Sequence, residues 1–460
     1  MRDRTTPGAQ ERRLVLVTAT LTAFMAPFMA SSINVALPAI AREFALGAVA
    51  LTWVATSFIL PTAIFLLPFG RLADIAGRKR VFTWGVALYT VASVLSGLAP
   101  SAAALIACRV LQGVAAAMLF STGAAILTSV FPAAERGKVL GFNVGAVYIG
   151  LSLGPSLGGM MVEQLSWRSL FLGSACLGVI TLLCLRRLRG EWAEAAGERF
   201  DLVGTAIYAL AFTALMFGFS MLPAISGVVW LAAGTLGLAG FAAWELGQIH
   251  PVLDLRLITG NTVFAFSSLA ALINYSATFG VTFLLSLYLQ YIKGLSPQQA
   301  GLVLVAQPLV MSTLSPLAGR LSDRIEPRTL ASMGMGCTAA ALCCFTLLTQ
   351  ETSLRYIVAC LLLNGVGFAF FSSPNTNAIM SSVERRLYGV ASAVTATMRM
   401  TGQMLSMGTA MLLFALYIGP VPITAANHPA FLSSVRTAFT IFAVLSAAGV
   451  FASLARGKLR

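Results

Sequence analysis

The sequence predicts an all-α polytopic membrane protein with fourteen spans, arranged as two six-helix bundles with two extra helices between them. Three observations carry this reading: an apolar, charge-poor composition, a series of apolar runs of helical length, and an internal repeat. Of 460 residues, 58% are hydrophobic and 10% charged, against about a quarter charged in soluble globular chains. The runs are about 20 residues long, the length a helix needs to cross a bilayer, and no ten-residue alternating segments mark a membrane barrel.

The runs lie near 14–40, 48–69, 81–99, 102–122, 139–161, 168–187, 202–222, 227–247, 262–290, 298–318, 328–349, 355–377, 388–418 and 435–455. The first is too long for a signal-peptide core and lacks a small-x-small cleavage site, so a retained span is expected. The seventh and eighth are parted only by the hairpin Leu-Pro-Ala-Ile-Ser-Gly (222–227). Charge orients the set. With the N-terminus cytoplasmic, only Arg42, Arg168, Lys293, Arg355 and Arg436 fall outside, while Arg109 and Arg399 fall within spans. The other Lys and Arg gather inside, as the positive-inside rule requires, with both termini cytoplasmic.

The net charge of +14 therefore reports topology. No basic run is interleaved with aromatics, so no nucleic-acid partner is expected. The seven cysteines all fall in apolar runs without metal or disulfide spacing and read as small packing residues. No Walker-type phosphate loop occurs, and no cofactor is expected. An enzyme would need a convergent cluster of His, Asp, Glu or Cys, yet His250 and His428 fall on opposite sides of the membrane.

The repeat is short. "LPFGRLADIAGRKR" (67–80) and "PLAGRLSDRIEPRT" (316–329) share G-R-L-x-D after a proline-containing span. Both copies fall on the cytoplasmic side, so the halves are parallel, an arrangement that places a transporter's substrate site between them near midplane. The eight spans between the copies read as six for the repeat plus two inserted. The expected organisation is a cytoplasmic N-terminus (1–13), a first bundle (14–190), a linker with two inserted helices (191–260), a second bundle (261–455) and a cytoplasmic C-terminus (456–460). The linker begins at the charge-rich segment "RRLRGEWAEAAGERFD" (186–201).

Several of these residues form a recognisable set. "GRLADIAGRKR" (70–80), "RVLQGVAAA" (109–117), "GAVYIGLSLGPSLGG" (145–159), "NVALPAIAREF" (34–44) and "SWRSLF" (166–171) resemble the motifs of the major facilitator superfamily. The likeness covers nearly the whole chain and is strongest to the superfamily's fourteen-span drug:proton antiporter branch. It implies an alternating-access exporter of amphipathic small molecules, working as a monomer in a bacterial inner membrane, with protons and membrane lipid as further partners.

In the loop motif, Gly70, Arg71, Asp74, Gly77 and Arg78 are implied to form a cytoplasmic latch, with Asp74 near the start of the span at Tyr388 and Arg71 and Arg78 pairing with it. The alternative is a basic anchor. In the fifth span, Gly150, Gly154, Gly158 and Gly159 present a smooth face and Pro155 loosens the helix, suiting either a hinge or static packing. The branch's exporters of lipophilic cations carry a first-span Asp. Here that position is Met29, and none of the 16 acids lies near midplane. Coupling would then use a group elsewhere, such as Glu163, Glu43, His428 or Asp74, or the carrier runs without protons.

The ionisable groups within spans are then Arg109 and Arg399. Arg109 is expected to find Gln112, Asn34, first-span carbonyls and water, or an anionic substrate or lipid. Asn143, Tyr148, Asn274, Tyr275, Gln307, Asn364 and Gln403 are candidates for a polar lining, and Met25, Met29, Phe120, Phe279, Phe368 and Met398 for an apolar one. Ordinary helix packing is the alternative for each. Two unopposed cations favour an amphipathic, neutral or anionic substrate. A lipid transporter and a non-transporting sensor on the same fold remain as further readings.

Overall fold

The computed structural model describes residues 9–188, 190–193, 200–248, 260–384 and 387–457. The extreme termini, His250 and much of the expected linker lie outside them. The first bundle holds α1 (Ala9–Phe44), α2 (Ala48–Ala76), α3 (Arg78–Gly97), α4 (Ala102–Val130), α5 (Ala133–Gln164) and α6 (Arg168–Arg186). The inserted pair is α7 (Leu202–Met221) and α8 (Ile225–Gly247). The second bundle holds α9 (Thr262–Leu287), α10 (Pro297–Leu304), α11 (Ala306–Ser322), α12 (Pro327–Phe345), α13 (Leu354–Ser381), α14 (Tyr388–Tyr417) and α15 (His428–Ala455). Helices α10 and α11 are one span broken at Val305, because Pro308 has no N–H to give to the Leu304 carbonyl and crowds it.

Every apolar run found in the sequence is a helix, and most helices overrun their runs. α1 begins at Ala9 and α15 at His428, because a helix continues past the hydrocarbon wherever polar side chains and caps allow. Among the described residues, eleven helical segments are long and apolar enough to cross a membrane, α10 and α11 counted as one. The others, α3, α12 and α14, are diluted by Gly, Ser, Thr and charged residues.

Within the first bundle α1 lies on α5, and the α5 glycines set how closely. A Cβ on Gly150 would come within 2.6 Å of the Phe24 carbonyl, one on Gly158 within 2.6 Å of Ser32 Cβ, and one on Gly154 would overlap the Ser31 hydroxyl. That closeness lets Ser32 Oγ donate to the Gly154 carbonyl at 2.9 Å and Ser31 Oγ to the Gly150 carbonyl at 3.4 Å. Close backbone approach with interhelical hydroxyl bonds is how helices associate when lipid removes the hydrophobic drive between them.

The inserted helices pack on each other and lie along both bundles. Tyr208 of α7 donates to the Ala63 carbonyl of α2 at 3.4 Å, and Phe217 meets Trp53 with ring centroids 5.7 Å apart. On the other side Gly408 of α14 leaves room for the Phe219 ring. α8 is mostly exposed, with only Gly227, Gly234, Phe241 and Glu245 buried.

The bundles meet at the end of the molecule away from the two G-R-L-x-D loops, which form its basic end. Ser286 Oγ of α9 donates to the Asn34 carbonyl at 2.7 Å, and Gln290 Nε2 to the Val35 carbonyl at 3.1 Å. Ala48 N donates to the Val421 carbonyl at 3.0 Å. Glu163 of α5 caps α10, accepting from Ser296 Oγ at 2.5 Å and from Gln298 N at 3.0 Å. Beside it the backbones touch: a Cβ on Gly301 would strike the Pro155 carbonyl, and one on Gly159 would lie 2.9 Å from Gln298 Cα. The basic half of α5 is looser, since a Cβ on Gly137, Gly141 or Gly145 would meet nothing within 4 Å.

Two variants test this closure. Gly301→Val is expected to force α10 off α5, and Glu163→Ala to remove the charge-assisted cap. With Ser286→Cys as reporter, each should label severalfold faster with a maleimide in detergent than the reporter alone.

Candidate functional site

Arg109 sits one-third of the way along α4 and is 1% exposed. The protein itself satisfies it. Nε donates to the Val54 carbonyl at 3.2 Å and Nη1 to Gln112 Oε1 at 3.1 Å. Its guanidinium carbon lies 4.6 Å from the centre of the Phe58 ring. Gln112 in turn donates to Ser93 Oγ of α3 at 2.8 Å. The carbonyl partner belongs to the second span, which corrects the first-span expectation. α4 lies between α2 and α3, so Arg109 looks into the bundle rather than toward α1. Asn34 is instead at the closed end, where its carbonyl takes the Ser286 bond. Met29, at the position of the missing acid, is fully buried, because the α1 face that carries it is covered by the rest of the bundle.

Arg399 is different. It lies eleven residues into α14, about 16 Å along the helix at 1.5 Å per residue, and stays partly exposed. Arg399, Ser372 of α13 and Tyr148 of α5 are the polar neighbours of the Tyr275 hydroxyl of α9. Ser315 of α11 meets the Tyr148 hydroxyl at 3.4 Å. The Tyr275 ring stands edge-on to Phe368 with centroids 5.5 Å apart. Five helices, one from the first bundle and four from the second, thus converge on one polar cluster with an aromatic wall. Arg399 Nε is buried without a hydrogen-bond partner.

The expected polar lining therefore divides. Tyr148, Tyr275, Arg399 and Gln403 are partly exposed. Asn274 and Asn364 are fully buried, their amides without hydrogen bonds, and Gln307 is buried with only the Met311 sulfur, 4.0 Å away. Neighbours in sequence point about 100° apart on a helix, so Asn274 turns inward where Tyr275 turns to the cluster. Of the expected apolar lining, Met25 and Met29 are buried in the first bundle, whereas Phe368 reaches the cluster.

In the loop motif Asp74 pairs with Arg78, Oδ1 to Nη2 at 2.8 Å, and Arg78 also donates to Ser129 Oγ at 2.7 Å. Among the described residues Asp74 makes no hydrogen bond or ion pair to the start of α14. Gly70 packs beside Ser121. Gly77 has φ +113°, and a Cβ there would collide with the Glu191 side chain. That side chain caps α3, accepting from Lys79 N at 2.8 Å and Arg80 N at 3.1 Å, a favourable place for a carboxylate at a helix N-terminus.

Glu191 escapes sequence reading because one acid among several in a mixed-charge linker carries no spacing signal. Arg456 escapes for the same reason. Assigned from sequence only to the cytoplasmic C-terminus, it is buried, donating to Asn375 Oδ1 at 2.9 Å, Ser267 Oγ at 3.2 Å and the Pro327 carbonyl at 3.0 Å. Burial lowers its pKa to about 10, which leaves it charged at neutral pH. At the closed end Glu43 joins Arg168 at 2.6 Å and Trp167 Nε1 at 2.7 Å. The cysteines are free thiols; Cys360 is buried, and Cys176 and Cys343 are exposed.

Known proteins agree with this architecture. A Major Facilitator Superfamily model matches residues 19–407 and 267–458. A riboflavin transporter of Clostridioides difficile is 30% identical over 394 residues, 85% of each chain. A multidrug resistance protein of Mycobacterium tuberculosis is 31% identical over 395 residues, 85% of this chain and 73% of that one. In fold, the chain is similar to a bacterial homologue of the human lysosomal transporter Spinster, solved facing inward and unoccupied, with a TM-score of 0.68 and 18% identity over 98% of both chains.

Because Arg109 is fully buried and ties Val54 to Gln112, Arg109→Ala should act on the fold. It leaves Gln112 and the Val54 carbonyl short of donors, a loss of about 2 kcal/mol or more. A thermal melt in detergent should fall further than for Arg399→Ala.

Proposed function

The chain belongs to the Major Facilitator Superfamily, and on that ground we propose that it is an alternating-access exporter of amphipathic small molecules. The observation that carries this reading is the mid-span cluster around Arg399, built by both bundles beneath an end where those bundles are closed on each other. A solute at that cluster has its path at the basic end. The excess of Lys and Arg assigns that end to the cytoplasm, so the described state is loaded from inside. Both termini are then cytoplasmic, and the bacterial relatives support a bacterial inner membrane.

Rocking of the bundles opens the other end by breaking the bonds of Asn34, Val35, Glu163 and Val421 and parting Gly301 from Pro155. None of these crosses more than a few hydrogen bonds, so a bound solute with modest differential affinity can shift the balance. Export as the direction rests on the likeness to a multidrug resistance protein. The monomer contains both halves of the site and works alone.

Proton antiport supplies the drive. The first-span acid is replaced by Met29, and Glu163 is the carboxylate that bonds across the seam. A neutral side chain there would lose the charge that the α10 N-terminus holds, so the closure would loosen.

The test is purified protein in vesicles with an internal pH dye and an imposed pH gradient. The expected result is proton movement that depends on an added amphiphile, together with gradient-driven accumulation of that amphiphile. Glu163→Gln should uncouple the two. Movement of amphiphile without protons would refute the coupling, and no movement of either would refute the transport reading.

A further inference from the structure

Helices α9 to α15 contain no Asp or Glu at all, and in α1 to α5 the acids stand at helix ends. Arg399 therefore holds a permanent positive charge near the middle of the molecule with no carboxylate in its bundle's helices to oppose it. A guanidinium in such a place is costly unless its donors and its charge are both met.

The two arginines within the spans answer that cost differently. Arg109 is closed off and bonded to a carbonyl, an amide and an aromatic face. A guanidinium can thus be accommodated here by protein groups alone. Arg399 is not: it remains partly exposed, its Nε has no partner, and its neighbour is a phenol, Tyr275, which brings no charge. Tyr275 stands beside it, and the hydroxyls of Ser372 and Tyr148 stand by Tyr275, with Ser315 on Tyr148. Hydroxyls that can rotate to donate, gathered about an arginine, match an oxyanion, and the Tyr275–Phe368 pair offers an apolar wall to the rest of the molecule.

We propose that the solute bound at this site carries an anionic oxygen group, a carboxylate, sulfonate or phosphate, that completes the coordination of Arg399 while its apolar body lies against Tyr275 and Phe368. This deepens the transport reading and rests on it. The same chemistry serves a free amphipathic anion or the headgroup of an anionic lipid. A permanent cation is disfavoured by repulsion from Arg399, and the absence of the first-span acid removes the group that would attract one.

Three fluorescent probes that differ in charge alone test this: dansylglycine, its neutral amide, and a dansyl amine bearing an ammonium group. Binding is read in vesicles of phosphatidylcholine holding the full chain. The carboxylate should bind roughly tenfold or more tighter than the amide, and the ammonium most weakly. In Arg399→Gln the carboxylate should fall to the level of the amide while the amide is unchanged, which also shows that the variant is folded. Arg399→Lys should recover part of the preference. Equal affinity of the three probes, no binding of the carboxylate, or a preference that survives Arg399→Gln would overturn the proposal.

Adding phosphatidylglycerol to the vesicles separates the two sources. Competition with dansylglycine identifies a lipid headgroup as the occupant, and its absence identifies a free anion; either supports the oxyanion site. Uptake distinguishes the two levels of inference. Charge-selective binding without uptake of any probe refutes the transport reading and leaves the anion site standing, whereas uptake of the ammonium probe in preference to the carboxylate refutes the anion site and leaves transport standing.

Discussion

Backbone-to-backbone contact between α5 and its neighbours is the constraint on which the rest of the structure hangs. One face of α5, through Gly150, Gly154 and Gly158, lies against α1 closely enough for serine hydroxyls to reach carbonyls across the gap. A different face, through Pro155 and Gly159, lies against α10 of the other bundle. The first contact stiffens a bundle and the second joins two bundles. Both use the same small-residue run, and α5 can serve both because Pro155 and Gly159 each follow Gly154 and Gly158 by one residue, which turns them about 100° round the helix. Without the first, the bundle would not present a firm surface; without the second, the closed end would have only its few polar bonds.

The two intramembrane arginines show that residue type and depth do not fix a role. Arg109 holds α2, α3 and α4 together through a chain that runs from the Val54 carbonyl through Gln112 to Ser93. Arg399 stands where five helices converge and is left incompletely bonded. The distinction lies in surroundings. Arg109 is fully buried and tied to groups of its own bundle, whereas Arg399 stays partly exposed and keeps a buried Nε without a partner.

Much of this was readable beforehand. All fourteen apolar runs became helices, since length and hydropathy decide spans almost alone in a bilayer. The glycine motif of α5 and the Asp74–Arg78 pair were also legible, because their chemistry is local. The polar lining was less so. Asn274 and Tyr275 are adjacent in sequence and end in different environments, and hydropathy says nothing about helical phase in a uniformly apolar run. Glu191 and Arg456 could not be found at all. Each is a charged residue in a charge-rich segment, and its partner is a helix end or carbonyl supplied by tertiary folding. The fold is written in composition averaged over twenty residues, and the site in the rotation of single side chains.

The inserted pair gives a mechanical consequence. α7 rests on α2 through Phe217 and Trp53 and on α14 through Phe219 and Gly408, so it spans the line along which the bundles would swing in the proposed transport cycle. Rings against rings and against a bare glycine have little directional preference and slide where hydrogen bonds would snag. In that proposed cycle the hairpin would behave as a bearing sleeve, keeping lipid out of the joint while letting the joint turn. With α8 turned to the acyl chains, lateral pressure in the membrane presses directly on that sleeve. Bilayer thickness and stiffness therefore set the friction of the swing, and the same chain should cycle at different speeds in lipids of different chain length.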